Sequence, residues 1–404
     1  MKTVVQFGAG NIGRGFMGQL FQESDFSMVF VDSNQDLVNE LNKRKEYPLC
    51  LLDAYSGKKI DLTIAPVQAL WTGQIEEITQ IISTCDVVGT SVGVKNLDAI
   101  APLITSGLKA RRLFNSWPLN IFLCENVLDA AQLLRQRVYE RLSIEDQEWA
   151  EKNVGFVGTS IARMVPAASD RFGNQDRLFV VADSYHQVPY DSAGVRGAFP
   201  EISGFKPVAN FIAEVERKLF THNLGHAVLA YLGYLKGYSY IHEPLRDSFI
   251  SSRFEQALDE TTAALLRKYP SDLSAKEQQA IRQDVRIRFG NPQIMDTVQR
   301  VGKDPVRKLG PDDRLIGSAK LCFSQGIQPE TIAYVCGAAY HYDFPGDPDA
   351  MKLQNMIHTL GIKKTIQKIS GIDPNSDFGR KIIRSYFDLT HQRKEWSSCG
   401  NFTK

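Results

Sequence analysis

Apolar residues in the first half of the chain follow two alternating periods. Short runs with strand character occur at residues 3–7, 28–31, 62–64, 86–88, 119–123 and 154–157. After the first run, apolar residues recur every three or four positions, as at Ile12, Phe16 and Leu20, which is typical of a helix with one buried face. The alternation predicts an α/β domain with a doubly wound, mostly parallel sheet and helices on both faces.

The second half of the chain carries long helical patterns instead. They span residues 211–235, 248–269, 275–289, 312–323 and 351–369. In the fourth of them, Asp312 lies ahead of Leu315 and predicts a capped helix start. A stretch with Pro and Gly at 190–207 separates the two kinds of pattern. We therefore predict a Rossmann domain at 1–195 and an all-α substrate and catalytic domain at 196–404.

Length, charge and cysteine content narrow the class of protein. The chain has 404 residues, enough for two domains with cores of their own. Its net charge of +1 argues against nucleic acid or an anionic membrane as a partner. It has no apolar run of transmembrane length, no signal-peptide pattern and no C-x-x-C pair among its six cysteines. We expect a cytoplasmic enzyme with a small-molecule substrate; its oligomeric state stays open, with a monomer among the alternatives.

The first strand leads into a glycine-rich turn. Gly8, Gly10 and Gly13 follow the pattern G-x-G-x-x-G, which is weak alone because glycine-rich turns are common. Here a strand precedes the pattern, a helix follows it, and the second strand ends in Asp32. Together these features form the dinucleotide-binding fingerprint. A structural βαβ unit without a ligand is the weaker alternative.

Each part of this fingerprint has a predicted role. Gly8 permits the tight turn, Gly10 lets the backbone approach a pyrophosphate, and Gly13 lets helix and strand pack closely. Asp32 would accept the ribose hydroxyls of NAD, and its charge would repel the additional phosphate of NADP. The sequence therefore predicts NAD as the cofactor.

Further NAD-binding residues are expected at the helix start and at the ends of other strands. The pyrophosphate is expected on the N–H groups that open the first helix. Ligands of parallel sheets bind at the carboxyl ends of the strands, which singles out residues 90–93 and 124–126. The additional candidates are Asn11, Ile12, Val92, Gly93 and Asn126.

The second half contains the pattern K-x-x-x-x-N-x-x-H, formed by Lys218, Asn223 and His226. On an ideal α-helix the three side chains are spread over one broad side of the helix. A dehydrogenase without zinc needs a base for the hydroxyl proton and donors for the developing alkoxide. A desolvated lysine suits the first role, and asparagine and histidine suit the second. The alternative is an ordinary amphipathic helix with a solvated lysine and a core histidine.

A zinc site at His222 and His226 is a further alternative, because two histidines four residues apart can bind one metal ion. Asn223 stands where the H-E-x-x-H motif has its glutamate, and no third ligand is evident nearby. The sequence therefore predicts no metal.

Four segments of the chain carry a resemblance to known enzymes. They are FGAGNIGRGF at 7–16, CEN at 124–126, ERKLFTHNLGHA at 216–227 and RVGKDPVRKLGPDDRLI at 300–316. In these segments the chain resembles the polyol-specific long-chain dehydrogenases of the mannitol dehydrogenase family. The resemblance covers nearly the whole chain and implies zinc-independent interconversion of fructose 6-phosphate and mannitol 1-phosphate with NAD(H). It also implies Lys218 as general base, with Asn223 and His226 positioning and polarising the reacting oxygen.

A sugar phosphate requires cationic partners, and the last of these segments is rich in them. Arginine binds phosphate through two parallel hydrogen bonds, and lysine acts as a point charge. The resemblance favours Arg307, Lys308 and Arg314 as inward-facing residues that bind the phosphate. Lys303 is expected to be solvated. For any one of the other cations, the alternative is a position on a solvated charged loop without a role in binding.

Four residues at three sites depart from the family pattern. Gly158 stands where the family usually has Asn or Asp, Ala162 replaces the acid of a Val-Asp-Arg triplet, and Gln187-Val188 replaces a Glu-Trp pair. These positions are expected to line the substrate cleft, so they favour a sister enzyme for another open-chain polyol or sugar derivative as an alternative. A catalytically weak NAD-binding sensor or structural protein is the alternative from a different class, and the retained Lys218 counts against it.

Overall fold

The computed structural model describes residues 2–114, 117–125, 127, 129–166 and 175–398. The chain divides into two units, Met1–Val215 and Glu216–Lys404.

The main sheet of the first unit has six parallel strands in the order β5-β2-β1-β6-β7-β8. The strands of the described chain are β1 (Lys2–Phe7), β2 (Phe26–Asp32), β3 (Tyr47–Leu52), β4 (Lys59–Ile64), β5 (Val67–Trp71), β6 (Val87–Thr90), β7 (Leu119–Leu123), β8 (Val154–Gly158), β9 (Val180–Asp183), β10 (Val188–Asp191) and β11 (Phe205–Val208). Because the chain winds outward from β1 in both directions, the predicted doubly wound parallel sheet is confirmed.

Helices cover this sheet on both faces. They are α1 (Gly18–Glu23), α2 (Gln35–Arg44), α3 (Ile75–Thr84), α4 (Leu97–Phe114), α5 (Ala130–Tyr139) and α6 (Ile144–Asn153), followed by α7 (Phe211–Lys218) at the boundary of the units. Two buried apolar clusters lie in this unit: Val4 belongs to one, and Val5 and Phe7 belong to the other. Successive side chains of a strand point to opposite faces, so β1 contributes to both cores.

Two small sheets complete the first unit. The predicted strand at 62–64 does form, but within β4, which pairs antiparallel with β3 in a three-stranded sheet instead of joining the main one. Its side chains are mostly exposed, so it lacks the continuous burial of a central strand. β10 pairs with β11. The first unit therefore continues past the predicted boundary at 195/196, because this pairing keeps the following segment with the first unit.

The second unit is helical, as predicted. Its helices are α8 (Leu224–Leu235), α9 (Ser248–Lys268), α10 (Ala275–Phe289), α11 (Val298–Gly302), α12 (Pro305–Lys308), α13 (Ile316–Ser324), α14 (Glu330–Ala339), α15 (Pro348–Ser370) and α16 (Asp377–Ser398). In the described part of this unit, β-type pairing is limited to one isolated bridge, between Tyr240 and Thr297. α8 is buried around nearly its whole circumference and packs against α9, α11 and α14. No helix in the described ranges has the length and apolar character needed to cross a lipid bilayer.

The predicted start of the helix at 312–323 is wrong. α13 begins at Ile316 and has no side-chain cap. Asp312 is exposed and forms an ion pair with Lys320 at 3.3 Å instead. The turn ahead of the helix is held by Asp313, whose carboxylate accepts the backbone N–H of Arg314. No side-chain cap thus marks the start of this helix.

Candidate active site

The glycine turn after β1 leaves no room for larger side chains at two of its three glycines. Gly8 has φ = +89°, and a Cβ there would lie 2.6 Å from the carbonyl oxygen of Ser91. A Cβ on Gly13 would lie 1.9 Å from the carbonyl oxygen of Gly8, whereas no described atom lies within 4 Å of a Cβ on Gly10. The geometry thus fits a tight turn with an open position where a pyrophosphate can approach the backbone.

Asp32 is bound to the same turn. One oxygen of its carboxylate accepts the N–H of Ala9 at 2.8 Å, and the other accepts the N–H of Asn34 at 2.8 Å. Both oxygens keep further lone pairs, because a carboxylate can accept about four hydrogen bonds. The half-buried carboxylate is therefore held at the end of β2, with lone pairs left to accept further hydrogen bonds.

Arg14 is a structural part of the turn that sequence reasoning missed. Its side chain is buried and donates to the carbonyl oxygens of Ala9 at 2.6 Å and Leu178 at 2.7 Å. The hydroxyl of Tyr47 donates to the Arg14 carbonyl at 2.8 Å. An arginine in a glycine-rich motif is easily interpreted as a phosphate ligand, but here its guanidinium fastens the turn to the rest of the unit.

The segment after β6 is held by a buried carboxylate. Glu125 accepts the hydroxyl of Thr90 at 2.7 Å and the N–H of Val92 at 3.0 Å, and burial raises its pKa. Gly93 is exposed with φ = +81°. The Val92 N–H is thus already bonded within the protein, and the N–H of Gly93 also bonds to the Glu125 carboxylate. Asn126 lies outside the described residues.

The predicted Lys–Asn–His array lies where α7 joins α8. Lys218 is half-buried at the end of α7, and a π-helical turn, Leu219–Asn223, follows it. Asn223 and His226 are buried. The array therefore spans three helical segments and not the single ideal α-helix that the sequence analysis assumed.

His226 has an aromatic neighbour and an acidic one. Its ring stacks on Phe289, with centroids 4.4 Å apart and planes at 17°. Its Nε2 lies 3.3 Å from Oδ2 of Asp296 without the alignment of a hydrogen bond, and both oxygens of Asp296 accept from the Arg300 guanidinium. Burial lowers the pKa of His226, although Asp296 opposes the shift. A neutral imidazole at neutral pH follows from that shift.

His222 is also buried, and its Nδ1 has no hydrogen-bond partner among the described residues. Burial and the charge of Arg288 hold its pKa well below the ordinary value. Its ring centroid is 5.9 Å from that of His226. In the described ranges there is no group of three His, Cys, Asp or Glu side chains placed to hold a metal ion, so a zinc ion at this pair would lack a third protein ligand there.

The three predicted phosphate ligands differ in exposure. Lys308 is buried and donates to the carbonyl of Val301, and burial, together with Arg314 and Arg307, holds its pKa well below the ordinary value. Arg314 is also buried and donates to Asp313 at 2.8 Å. Arg307 differs from the expected inward-facing position, because its side chain is 49% exposed; it pairs with Asp313 as well. Burial and the neighbouring guanidinium groups thus disfavour the charged form of Lys308, and an anion bound beside it would favour that form.

Comparison with known proteins gives the family. Residues 2–204 match the mannitol dehydrogenase Rossmann domain, and residues 211–389 match the mannitol dehydrogenase C-terminal domain. The chain belongs to the mannitol dehydrogenase family.

Several members of this family are similar over nearly their whole length. Mannitol-1-phosphate 5-dehydrogenase of Caldanaerobacter subterraneus subsp. tengcongensis is 36% identical, covering 96% of this chain and 99% of the relative. The enzyme of the same name from Thermoanaerobacter pseudethanolicus is 35% identical, covering 96% of this chain and 98% of the relative.

Solved structures show the same fold at low identity. Pseudomonas fluorescens mannitol 2-dehydrogenase, solved as a ternary complex with NAD and D-mannitol, has a TM-score of 0.77 at 18% identity, over 98% of this chain and 94% of its own. A D-sorbitol dehydrogenase in substrate-free form has a TM-score of 0.78 at 16% identity, over 97% of this chain and 94% of its own.

Gly158 and Ala162 depart from the pattern of the mannitol dehydrogenase family, and the structure shows what surrounds each of them. A Cβ on Gly158, at the end of β8, would lie 2.8 Å from the ring of Phe211. The ring thus occupies space that a longer side chain at this position would need. Arg163 next to Ala162 is buried and donates to the Tyr185 carbonyl at 2.5 Å, so the arginine retains a bonding partner in the absence of the neighbouring acid.

Proposed function

We propose that this chain is a zinc-independent dehydrogenase that interconverts D-mannitol 1-phosphate and D-fructose 6-phosphate with NAD(H). Two relatives of that name, alike over nearly their whole length, support the assignment. The observation that carries it is the placement, within one helical unit, of Lys218, Asn223 and His226 together with the buried cations Lys308 and Arg314. The proposal implies a cytoplasmic enzyme with a small phosphorylated substrate.

The first unit fits the cofactor. The open position at Gly10 and the first N–H groups of the helix, at Asn11 and Ile12, would hold the pyrophosphate, because these groups have no partners inside the helix. Asp32 would accept the ribose hydroxyls. When bound, NAD(H) supplies the acceptor or donor of the hydride.

The second unit would supply the proton chemistry. In alcohol oxidation, the Lys218 amino group accepts the hydroxyl proton as the hydride leaves the same carbon. Asn223 would donate a hydrogen bond to the oxygen as its charge develops, and His226 would help to orient it. In carbonyl reduction the lysine returns the proton. Arg307, Lys308 and Arg314 would hold the phosphate through charge-assisted hydrogen bonds.

A sister dehydrogenase that acts on another open-chain polyol or sugar derivative is the second candidate. The observation that favours it is the Phe211 ring beside Gly158, because the family usually places a polar side chain there. An apolar ring next to the reacting oxygen would change the preferred substrate without changing the chemistry.

A substrate panel separates the two candidates. The purified protein should oxidise NADH with fructose 6-phosphate, and the rate should exceed those with free fructose and with other keto sugars and their phosphates. A higher kcat/KM with another sugar would favour the sister enzyme. Binding of NADH without turnover of any substrate would favour the sensor.

The cofactor assignment predicts a specific defect in Asp32→Ala. This variant should have a raised KM for NAD and a relaxed rejection of NADP, because it loses both the acceptor for the ribose hydroxyls and the charge that repels the additional phosphate. Kinetics with both cofactors measure the effect. Asp36→Ala, which removes an exposed carboxylate on α2, is the control. Equal wild-type efficiency with NAD and NADP would contradict the assignment.

A further inference from the structure

The segment that carries the Lys–Asn–His array contains an irregularity in its backbone. Between α7 and α8 the chain forms a π-helical turn, Leu219–Asn223, in which the N–H of Leu224 donates to the carbonyl of Leu219 five residues earlier. Such turns are one-residue bulges in an α-helix and occur frequently at functional sites. Here the bulge begins directly after Lys218, the candidate base, ends at Asn223 and precedes His226.

The bulge changes which side chains share a face. Asn223 and His226 follow Lys218 by five and eight residues. On an uninterrupted α-helix these steps would rotate them by about 140° and about 80° from the lysine, at roughly 100° per residue. A one-residue bulge moves the residues after it back by one position. The steps from Lys218 to Asn223 and to His226 then become equivalent to four and seven residues of a regular helix. These steps correspond to rotations of about 40° and about −20° from the lysine. Positions four and seven residues apart lie on one helix face.

Two buried polar side chains from neighbouring helices hold the bulge. The hydroxyl of Thr261, on α9, donates to the carbonyl oxygen of Phe220 at 2.8 Å, and Thr261 is 0% exposed. The amide of Gln278, on α10, donates to the hydroxyl of Thr221 at 2.8 Å, and Gln278 is 1% exposed. The Thr261 hydroxyl also lies 3.3 Å and 3.4 Å from the carbonyl oxygens of Ala257 and Leu258 in its own helix. Its shorter bond to Phe220 therefore favours the bulged backbone through the carbonyl that it satisfies, because a buried carbonyl is costly without a partner.

The described chain has one other π-helical turn, Gly13–Met17, which opens the first helix after the glycine turn. There the N–H of Gly18 donates to the carbonyl of Gly13, again five residues earlier. Both irregular turns therefore lie in segments that the sequence analysis singled out for chemistry.

We propose that Thr261 and Gln278 are positioning residues: they hold the π-helical turn that brings Lys218, Asn223 and His226 onto one helix face. Neither side chain is required to touch the substrate. The inference rests on the proposed function only in assigning proton transfer and oxygen polarisation to the three residues.

The test is Thr261→Val, which keeps the side-chain shape and removes the hydroxyl. A misplacement of catalytic groups by about 1 Å costs roughly 100-fold, so we expect kcat to fall about 10- to 100-fold with little change in KM. The primary isotope effect with deuterated NADH should rise as hydride transfer becomes rate-limiting. Thr261→Ser should restore most of the activity. In the crystal structure of Thr261→Val, the bond from Leu224 to Leu219 should be lost or displaced.

The matched control is Thr365→Val. Thr365 is also fully buried, and its hydroxyl donates to the carbonyl four residues earlier, that of Gly361 at the kink in α15, at 2.9 Å. We expect this control variant to keep the kcat of the wild-type protein. If Thr261→Val does not fold, Gln278→Leu tests the second anchor by the same measurements. Unchanged kcat in folded variants, or an equal loss in Thr365→Val, would overturn the proposal.

Failure of the proposed function gives a different result. If the wild-type protein does not turn over fructose 6-phosphate, the proposed activity is wrong. The crystal structure of Thr261→Val still tests the anchoring, because its readout is the backbone of residues 219–224 and needs no substrate. An unchanged π-helical turn in that structure would overturn the role of Thr261 whatever the substrate is.

Discussion

Replacing Lys218 by methionine is expected to lower kcat roughly 10²- to 10⁴-fold, the range that general acid–base catalysis contributes. Methionine has a side chain of similar length but cannot accept or return a proton. NADH binding should remain nearly intact, because the lysine acts on the substrate hydroxyl and not on the dinucleotide. Steady-state kinetics together with a fluorescence titration of NADH separate the two effects.

Lys303→Met is the control for this variant. Lys303 is exposed, as predicted, so its loss should leave kcat unchanged. The assignment of the base would be wrong if Lys218→Met retained wild-type kcat. Activity should also survive treatment with a chelator. If EDTA abolished turnover and zinc restored it, the pair His222 and His226 would become the site of the chemistry instead.

The elements that could be predicted from the sequence are those whose pattern is set by neighbouring residues. The strand predicted at 119–123 and the helix predicted at 275–289 have the observed bounds. The helix has a local start signal, a capping box in which Ser274 and Glu277 bond to each other's backbone. The helix predicted at 312–323 starts at Ile316, and Asp312 pairs with Lys320 instead of capping the helix.

The parts of the candidate site that sequence reasoning missed depend on contacts between distant residues. Thr261 is 41 residues from the carbonyl that it binds, and Glu125 is 35 residues from Thr90. Asp296 lies beside His226 only because the segment before α11 approaches α8. Glycine motifs and the Lys–Asn–His spacing are local and could be found in the sequence. Their supporting residues have no such signal, since ordinary polar residues at those positions also occur on solvated helices.

Loss of the phosphate from the substrate is expected to cost at least tenfold in kcat/KM, and more if several cations bind it. A hydrogen bond to a charged group is worth about 1.5–3 kcal/mol, and about 1.4 kcal/mol is a factor of ten. Arg307, Lys308 and Arg314 are the predicted partners. Fructose should therefore be a very poor substrate beside fructose 6-phosphate, as the ratio of kcat/KM for the two sugars will show.

The decisive variant is Arg307→Ala, because Arg307 is the most exposed of the three cations and its loss disturbs the core least. It should lower kcat/KM for fructose 6-phosphate much more than for fructose, since only the phosphorylated sugar loses a partner. Arg380→Ala is the matched control. Arg380 is also exposed, and each of the two arginines pairs with an aspartate three residues earlier: Arg307 with Asp304, and Arg380 with Asp377. The measured quantity is the kcat/KM for fructose 6-phosphate divided by that for fructose. A value near one in the wild type, or the wild-type value in Arg307→Ala, would count against the phosphate site and favour the sister enzyme.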